Sequence, residues 1–346
     1  MHHAAGFLGV LSHWGLQDNA IRQVYGTAWQ VGEHYILKRY QKEDLLRRNL
    51  NLLQRLDQMG IPVGQVVPTR EGTLYVSVAD GFRTREGTEE RTGEGTEERT
   101  REGEREQFYF LSKRLPGSHL VKLDAIPETA LAMGGVLADL HRAFRKCEDV
   151  EGIRDNSLLD EMKGWVRDNL EKGGWKYVAR EAYEETVAHL EAVYDRLPVQ
   201  LIHRDVHFGN FLFSEGMFSG YIDFDLSQRN IRIFDLGYFL LGLLTEEEGL
   251  HLSQEQWFAF LENALAGYEE KGEVSEAERK ALPYVMECIE LLFVAYFEGT
   301  GERECAEDAY RIYGFVKQQE DRIREVCKIS GFKEIAPHEK RKSEGS

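Results

Sequence analysis

Cysteine is scarce in this sequence. Four thiols are spread over 346 residues and form no Cys-x-x-Cys pair: Cys147, Cys288, Cys305 and Cys327. Disulfide frameworks are typical of small, cysteine-rich secreted domains, and thiolate metal sites typically use Cys-x-x-Cys spacings. We therefore expect reduced, mostly buried thiols.

Long apolar runs are also lacking. The longest, Leu236 to Leu244, has nine residues and includes two glycines, whereas a helix that crosses a bilayer needs roughly 20 apolar residues. Ala4 to Leu11 is small and apolar, but no Lys or Arg precedes it, as a signal peptide would require. The sequence therefore predicts no membrane span and no export signal, and we expect a cytoplasmic protein.

Positive charge is in deficit. The chain has 43 Lys and Arg against 60 Asp and Glu, which gives a formal net charge of −17. Such a charge repels phosphate backbones and anionic lipids, and no basic stripe with interleaved aromatic residues reverses it locally. We therefore expect neither nucleic acid nor membrane as a partner. With 42% hydrophobic residues, the composition is typical of a globular protein with room for two domains or one large bilobal one.

The segment Thr84 to Glu106 contains no apolar side chain. Its core is an eight-residue repeat in which REGTEERT, from Arg85, is followed by GEGTEERT, from Gly93. A stretch of this kind cannot bury surface to offset its ordering entropy, so we expect a disordered insertion. Its flanks, Thr73 to Ala79 and Gln107 to Arg114, are rich in β-forming residues and are expected to pair as a hairpin.

The remaining sequence changes character near Pro116. Before it, Tyr35 to Tyr40 is predicted to be a strand, and Glu43 to Met59 an amphipathic helix that ends before Gly60. After it, long helical patterns dominate: one opens at Pro127, and further ones cover 155–196, 254–271 and 276–327. The polar tail from 330 to 346 is expected to be flexible.

The segment Leu201 to Asp225 has the strongest pattern. The apolar runs Phe211 to Phe213 and Tyr221 to Ile222 flank a Glu-Gly turn, which is typical of a short hairpin. A hairpin would bring together the polar residues at its two ends, which are His203, Asp205, His207 and Asn210 before it and Asp223 and Asp225 after it. Asp205, Asn210 and Asp223 would then converge. One acid could then accept a proton, while an amide oxygen and a carboxylate are ligands that suit Mg2+.

The pattern His203-x-Asp205-x-His207-x-x-Asn210, followed by Ile222-Asp223, resembles the catalytic core of the aminoglycoside phosphotransferase and choline kinase group, relatives of the protein kinases. The continuation through Asp225 to Asp235-Leu-Gly-Tyr238 is most similar to the members associated with spore coats. Leu137-Ala-Asp-Leu-His141 is similar to the helix that precedes the catalytic loop in this group.

The resemblance implies a bilobal α+β fold of the protein-kinase type, with a small antiparallel-sheet lobe carrying one main helix and a large, mostly helical lobe. Residues 1–116 would form the nucleotide-binding lobe, with the insertion 84–106, and 117–329 the catalytic and substrate lobe. The implied activity is transfer of the γ-phosphate of ATP to a hydroxyl of a small molecule. That acceptor could be a cationic alcohol or an amino sugar.

The resemblance also implies individual roles. Asp205 would orient and deprotonate the acceptor hydroxyl, Asn210 and Asp223 would bind Mg2+, and Lys38 would contact the α- and β-phosphates of ATP. A lysine on an amphipathic strand is more often a solvated edge residue, so only its place just before the helix favours the phosphate role for Lys38.

The histidines and Asp235 are expected to support the loop. By the resemblance, His203 packs beneath it, and His207 helps to hold it or lines the acceptor site. On its apolar helix face, His141 is more typical of a satisfied core residue, and we expect Asp235 to cap the following helix and brace the loop. Zinc is an alternative for such a cluster, but no His-Glu-x-x-His or comparable spacing supports it.

Two departures from the family pattern favour a second hypothesis. Gly26 and Gly32 are too far apart for a convincing phosphate-binding turn. Asn49 occupies the helix position where the family has a glutamate that pairs with the lysine, and Glu43 or Asp44 would be imperfect substitutes. The alternative is therefore a catalytically weak or inactive kinase-like protein with a structural role, located in the spore coat and bound to spore-coat proteins.

Overall fold

The computed structural model describes residues 3–79, 106–245 and 250–329, with side chains from Phe7 onward. Of the insertion predicted at 84–106, residues 84–105 lie outside the described residues, whereas Glu106 already belongs to a strand. The tail at 330–346 also lies outside the described residues. The chain divides into two compact units. The first comprises Met1–Leu120, Ala143–Arg154 and Phe208–Ser227, and the second comprises Val121–Arg142, Asp155–His207 and Gln228–Ser346. The lobe boundary placed at residue 116 stays a prediction.

The first unit contains a six-stranded sheet in which every pairing is antiparallel. Its strands are β1 (Ile21–Tyr25), β2 (Ala28–Val31), β3 (Tyr35–Tyr40), β4 (Val66–Val67), β5 (Val76–Ala79) and β6 (Glu106–Lys113), in the order β1-β2-β3-β6-β4, with β5 also on β6. The predicted strand at Tyr35 to Tyr40 is confirmed. The antiparallel pairing of β5 with β6 confirms the hairpin expected on either side of the insertion.

Alternating side chains let this sheet pack on both faces, as the period of a strand requires. On one face, Leu37 and Leu111 pack with Leu11 and Trp14, which belong to helix α1 (His3–Ser12) and the turn after it. On the other face, Tyr40, Phe108 and Phe110 pack against Leu46 and Leu50 of helix α2 (Glu43–Gln58). Lys38 has the same parity as Tyr40 and so lies on the face that α2 covers.

The first unit also contains the hairpin predicted around Glu215 and Gly216. Its strands are β8 (Phe211–Ser214) and β9 (Met217–Tyr221). Both turn residues have positive φ, 53° at Glu215 and 78° at Gly216, as a two-residue turn compatible with strand twist requires. The hairpin prediction is confirmed.

The second unit is mostly helical. It contains nearly all of α3 (Ile126–Phe144), together with α4 (Leu158–Glu161), α5 (Arg167–Lys172), α6 (Arg180–Tyr194), α7 (Ile233–Gly242), α8 (Gln254–Glu269), α9 (Glu276–Thr300), α10 (Arg303–Gln318) and α11 (Glu320–Ile329). Strands β7 (Val199–Ile202) and β10 (Gln228–Ile231) form a separate antiparallel pair. A sheet-bearing unit and a larger helical unit confirm the predicted α+β class. Within the described ranges, no helix is long and apolar enough to span a membrane.

Helices α3 and α8 approach each other closely because glycines face their contact. A Cβ at Gly134 would clash with the carbonyl oxygen of Ala264, and one at Gly267 would clash with that of Leu131. Since the obstacle is backbone in both cases, an alanine at either position would push the helices apart. This packing fixes the position of α3, which carries His141.

A buried carboxyl group lies between α6, α9 and α10. Glu287 is 0% exposed, accepts a hydrogen bond from the Thr186 hydroxyl at 2.7 Å and lies 3.5 Å from the Lys317 ammonium. Burial, reinforced by the neighbouring Glu320, raises the pKa of Glu287 to about 8. Glu287 thus keeps its proton in the folded protein at pH values where an unfolded chain has released it.

We expect Glu287→Gln to make stability less dependent on pH. Because the folded-state pKa is raised, the wild type loses folding free energy as the pH rises from the ordinary value of 4.5 towards about 8. The glutamine variant lacks this loss, so its unfolding free energy relative to wild type should increase from pH 5 to pH 9. Urea unfolding of both proteins at pH 5 and at pH 9 measures this difference in unfolding free energy. Parallel pH curves would contradict the assignment, and Glu325→Gln on exposed α11 surface is the matched control.

Candidate active site

Lys38 lies at the centre of a polar group in the first unit that we call the Lys38 cluster: Lys38, Tyr40, Arg48, Asn49, Asp223 and Asp225. The ammonium of Lys38 is 2.9 Å from Asp223 Oδ1 and 2.9 Å from Asp225 Oδ2, and its side chain is only 17% exposed. Burial alone would lower the pKa of Lys38, but Tyr40 and the two carboxylates outweigh it and raise that pKa. Lys38 is thus a charged, half-buried group and not a solvated edge residue.

The hairpin brings Asn210 and Asp223 to the same end of its strands. Asn210 closes a 3-10 turn, Phe208–Asn210, directly before β8, and its carbonyl accepts the N–H of Ile222 at 3.0 Å. Asp223 follows β9 with φ at 60°, a left-handed conformation that is rare for a residue with a Cβ. Strained backbone of this kind persists where the surrounding structure imposes it, often at functional sites.

Asn210 and Asp223 carry the kinds of oxygen donor that a magnesium ion takes from proteins. Asp223 supplies a carboxylate that is one-third exposed and Asn210 supplies an amide, which are oxygen donors that Mg2+ accepts while it keeps several waters and phosphate oxygens. Within residues 3–79, 106–245 and 250–329, no group of three or more His, Cys, Asp or Glu is arranged to hold a metal. An amide and one carboxylate are too few donors for a magnesium shell, so a metal held here would need phosphate oxygens and water as further ligands.

Asp225, Tyr40 and Arg48 complete the cluster. The sequence placed Asp225 at the end of the hairpin without a role, and it did not mark Tyr40 or Arg48 as site residues. The Tyr40 hydroxyl donates to Asp225 Oδ1 at 2.6 Å, and Arg48 donates to the Asp225 carbonyl oxygen at 2.5 Å. Tyr40 and Asp225 each lie two positions after a residue that was identified, Lys38 and Asp223. Strand alternation could have placed Tyr40 beside Lys38, but nothing local identifies Arg48.

Glu43 and Asp44, the expected substitutes for the missing glutamate, are not the carboxylates that pair with Lys38. Glu43 Oε1 accepts hydrogen bonds from Arg47 and from the Tyr75 hydroxyl, and Asp44 is exposed. Asn49 is 1% exposed and donates through its amide to Tyr40 at 3.0 Å and to Asp225. The carboxylates that hold Lys38 come instead from Asp223 and Asp225.

Asp205 belongs to the second unit, where two side chains hold its carboxylate. Tyr238 of α7 donates its hydroxyl to Asp205 Oδ1 at 2.9 Å, and His207 Nε2 lies 3.6 Å from the same oxygen. Burial alone would raise the pKa of Asp205, but the hydrogen bond and charge of His207, together with Tyr238, lower it to about 2. Asp205 is therefore a carboxylate at any physiological pH.

Asp235 braces the loop that carries Asp205. Its carboxylate accepts the backbone N–H groups of His203 at 2.8 Å and Arg204 at 2.7 Å, and it contacts His141 Nε2 at 3.1 Å. Arg204 has φ at 68°, so the two accepted N–H groups fix a strained turn. The bracing role is confirmed, but the capping role is wrong, because Asp235 lies inside α7, whose N-cap is Arg232.

His203 and His141 are buried as expected, and the contact of His207 with Asp205 fits its expected part in holding the loop. His203 is fully buried, and its Nδ1 faces the N–H of Asp205 at 3.4 Å. His141 is a core residue that contacts the Tyr268 hydroxyl at 2.8 Å as well as Asp235.

The glycines expected near the phosphates are separated by the fold. Gly26 lies in the turn between β1 and β2, with φ at 31°, while Gly32 follows β2. Only Gly26 therefore belongs to the turn between β1 and β2, in agreement with the wide spacing of the two glycines in the sequence.

The model of the phosphotransferase enzyme family (APH) matches residues 15–280 of this chain. The match covers well over half of the sequence, and the chain belongs to the phosphotransferase enzyme family. Homoserine kinase from Gluconobacter oxydans (strain 621H) is 30% identical over 175 residues, which are 49% of this chain and 52% of that protein. The match thus spans about half the length of this curated relative.

Solved structures share the fold at low sequence identity. The complex of amicoumacin kinase hAmiN with AMP-PNP, Ca2+ and Ami has a TM-score of 0.65, is 17% identical and covers 93% of each chain. A microcompartment-associated aminopropanol kinase has a TM-score of 0.59 and 16% identity, over 92% of this chain and 98% of that one. None of the relatives named here carries a spore-coat description, so the spore-coat association stays a prediction.

Proposed function

We propose that this protein is a magnesium-dependent kinase that transfers the γ-phosphoryl group of ATP to a hydroxyl of a small molecule. The observation that carries the proposal is the contact of Lys38 with Asp223 at the end of the hairpin that also presents Asn210. A cation for phosphate oxygens and two oxygen donors for a metal are what a nucleoside triphosphate needs for binding. Family membership and the AMP-PNP and Ca2+ in the hAmiN structure support ATP and a divalent metal.

In this proposal the Lys38 cluster binds the nucleotide. Lys38 contacts α- and β-phosphate oxygens, and Asn210 and Asp223 hold Mg2+. When bound, the metal neutralises charge on the transferring phosphate, which is the main help that phosphoryl transfer requires. Lys38 already has a fixed position on β3 between two carboxylates, so little side-chain entropy is lost when phosphate replaces one of them.

Asp205 acts on the acceptor. A carboxylate with a pKa of about 2 is a weak base for a free alcohol, so its first role is to accept the hydroxyl hydrogen bond and orient the oxygen. As the acceptor oxygen bonds to the γ-phosphorus and the bond from that phosphorus to the bridging oxygen breaks, ADP leaves and the proton of the hydroxyl, now acidic, moves to Asp205. Tyr238 and His207 hold the carboxylate in place for this step.

The acceptor in this proposal is a small alcohol that also carries an amino group. The names of the relatives support this class, because homoserine and aminopropanol both contain a hydroxyl and an amine. A net charge of −17 further favours a cation over an anion as the encounter partner.

We expect acceptor-dependent release of ADP when the protein is incubated with MgATP and amino alcohols. Homoserine, 1-amino-2-propanol and kanamycin form the test panel, and 2-aminobutyrate is the control for homoserine because it lacks only the hydroxyl. A coupled ADP assay gives the rate, and 31P NMR identifies the phosphate ester. ADP release that does not depend on any acceptor hydroxyl would contradict the proposed reaction.

A further inference from the structure

We infer that Asp225 is the positioning residue that holds Lys38 for the nucleotide, in the place of the helix carboxylate that this chain lacks. The inference rests on the proposed function, because it assigns Asp225 a role in binding MgATP through Lys38. It concerns a residue that contacts neither the metal nor the reacting atoms in the proposed scheme.

Both oxygens of the Asp225 carboxylate are engaged. Oδ2 pairs with the Lys38 ammonium at 2.9 Å, while Oδ1 accepts from the Tyr40 hydroxyl at 2.6 Å and from the Asn49 amide. The backbone of the same residue is held as well, since its carbonyl accepts from Arg48. A carboxylate fixed at this many points can fix the cation paired with it.

The residue type at position 49 matches this arrangement. Asn49 lies on the buried face of α2 and directs its amide N–H towards both Tyr40 and Asp225. A glutamate there would place a second carboxylate against Asp225, and two like charges at contact repel strongly when partly buried. The contact between positions 49 and 225 thus needs one amide and one carboxylate. In this chain the amide is on α2, at Asn49, and the carboxylate is on the segment that follows β9, at Asp225.

Asp223 and Asp225 differ in how readily each can give up its contact with Lys38. Both side chains are about one-third exposed, but Asp225 is also held by Tyr40 and Asn49, whereas the contact of the Asp223 carboxylate is with Lys38. The proposed function needs Asp223 for Mg2+. When Asp223 turns to the metal, Asp225 still pairs with Lys38. One carboxylate therefore keeps the lysine in place while the other serves the metal.

The test compares MgATP binding by calorimetry in four folded proteins: wild type, Asp225→Asn, the exchange variant Asn49→Glu/Asp225→Asn, and the control Asp44→Asn. We expect Asp225→Asn to weaken MgATP binding by roughly tenfold or more, as loss of one partly buried charge contact typically does. The exchange variant should recover most of the affinity, because a glutamate side chain is one methylene longer than that of Asn49 and can reach Lys38. Asp44→Asn, on the exposed face of α2, should bind like wild type.

Two further measurements separate positioning from other roles. In a Lys38→Met background, Asp225→Asn should weaken binding little further, since its effect passes through the lysine. The Mg2+ concentration needed for half-maximal ATP binding should stay unchanged in Asp225→Asn, whereas a metal ligand would raise it. Thermal melts check that each variant is folded.

The outcomes distinguish this inference from the proposed function. If the wild type binds MgATP and Asp225→Asn binds equally well, or the folded exchange variant does not recover, the positioning role is overturned while the proposed function stands. A raised Mg2+ requirement in Asp225→Asn would also overturn it, in favour of a metal ligand. If the wild type itself binds no MgATP, both the proposed function and this inference fail.

Discussion

Asp205→Asn is expected to lower phosphoryl transfer by roughly 100- to 10,000-fold, the range in which a positioned acid or base contributes to catalysis, with MgATP affinity nearly unchanged. Asparagine keeps the shape of the side chain and can still meet Tyr238, but it cannot take the proton of the acceptor hydroxyl. Because Asp205 is proposed to act on the acceptor, its loss should appear in kcat and not in the dissociation constant of the nucleotide.

Steady-state rates with the best acceptor of the panel, together with calorimetry for MgATP, measure both quantities. The matched control is Asp168→Asn, an exposed aspartate of α5 in the same unit, which should behave like wild type. Wild-type turnover in Asp205→Asn would remove this residue from the mechanism. Equal losses of turnover and nucleotide affinity would instead indicate a general distortion of the loop.

The pH dependence gives a second check on the same residue. The pKa of Asp205 is lowered to about 2, so the carboxylate is fully formed above roughly pH 4 and loses its charge only as the pH falls through the folded-state value. The rate ratio of wild type to Asp205→Asn should therefore be the same at pH 5 and at pH 8. A ratio that falls between pH 8 and pH 5 would show that Asp205 titrates in this range.

The parts of the fold that could be predicted are those with strong local patterns. Strand Tyr35–Tyr40 was expected with the observed limits, since its short run is rich in β-branched and aromatic residues. The hairpin around Glu215 was readable because two apolar runs flank a turn dipeptide. Strand β1, by contrast, has four exposed residues in succession, so it has no alternation to detect.

The Lys38 cluster shows why a site is harder to read than a fold. Asp223 was found from the hairpin pattern, and Lys38 through the resemblance, which fixes a few positions that directly serve the phosphates. Asp225 and Asn49 were not assigned together, because their relation depends on a contact between residues 176 positions apart. When an amide at position 49 and a carboxylate at position 225 exchange places, no local sequence pattern shows it. The absence of the glutamate, taken alone, therefore predicted a weakened site.

The second large effect is expected in thermal unfolding with nucleotide. ATP with Mg2+ should raise the melting temperature, ATP with a chelator should raise it much less, and Asp223→Ala should remove most of the difference. Without a metal, the carboxylates of Asp223 and Asp225 face a triphosphate of the same sign, with Lys38 as the nearest opposing charge. With Mg2+, Asp223 becomes an attractive group, so binding should depend strongly on the metal.

The size of the shift follows from mass action. At a ligand concentration 100 times the dissociation constant, binding stabilises the folded state by about 2.7 kcal/mol, which raises the melting temperature of a protein of this size by at least a few degrees. Differential scanning fluorimetry over a series of ATP concentrations resolves such a change. The series also yields the dissociation constant with and without metal, independently of any acceptor.

The matched control for Asp223→Ala is Asp57→Ala, which removes a carboxylate from the exposed side of α2 in the same unit and should preserve the dependence on Mg2+. Equal shifts with Mg2+ and with chelator, or an undiminished shift in Asp223→Ala, would contradict the metal assignment. If millimolar ATP caused no shift in the melting temperature, the result would contradict nucleotide binding itself and would favour a structural role for the kinase fold. A shift that needs Mg2+ and Asp223 together, as expected here, requires the carboxylate after β9 to reach a metal on the bound phosphates.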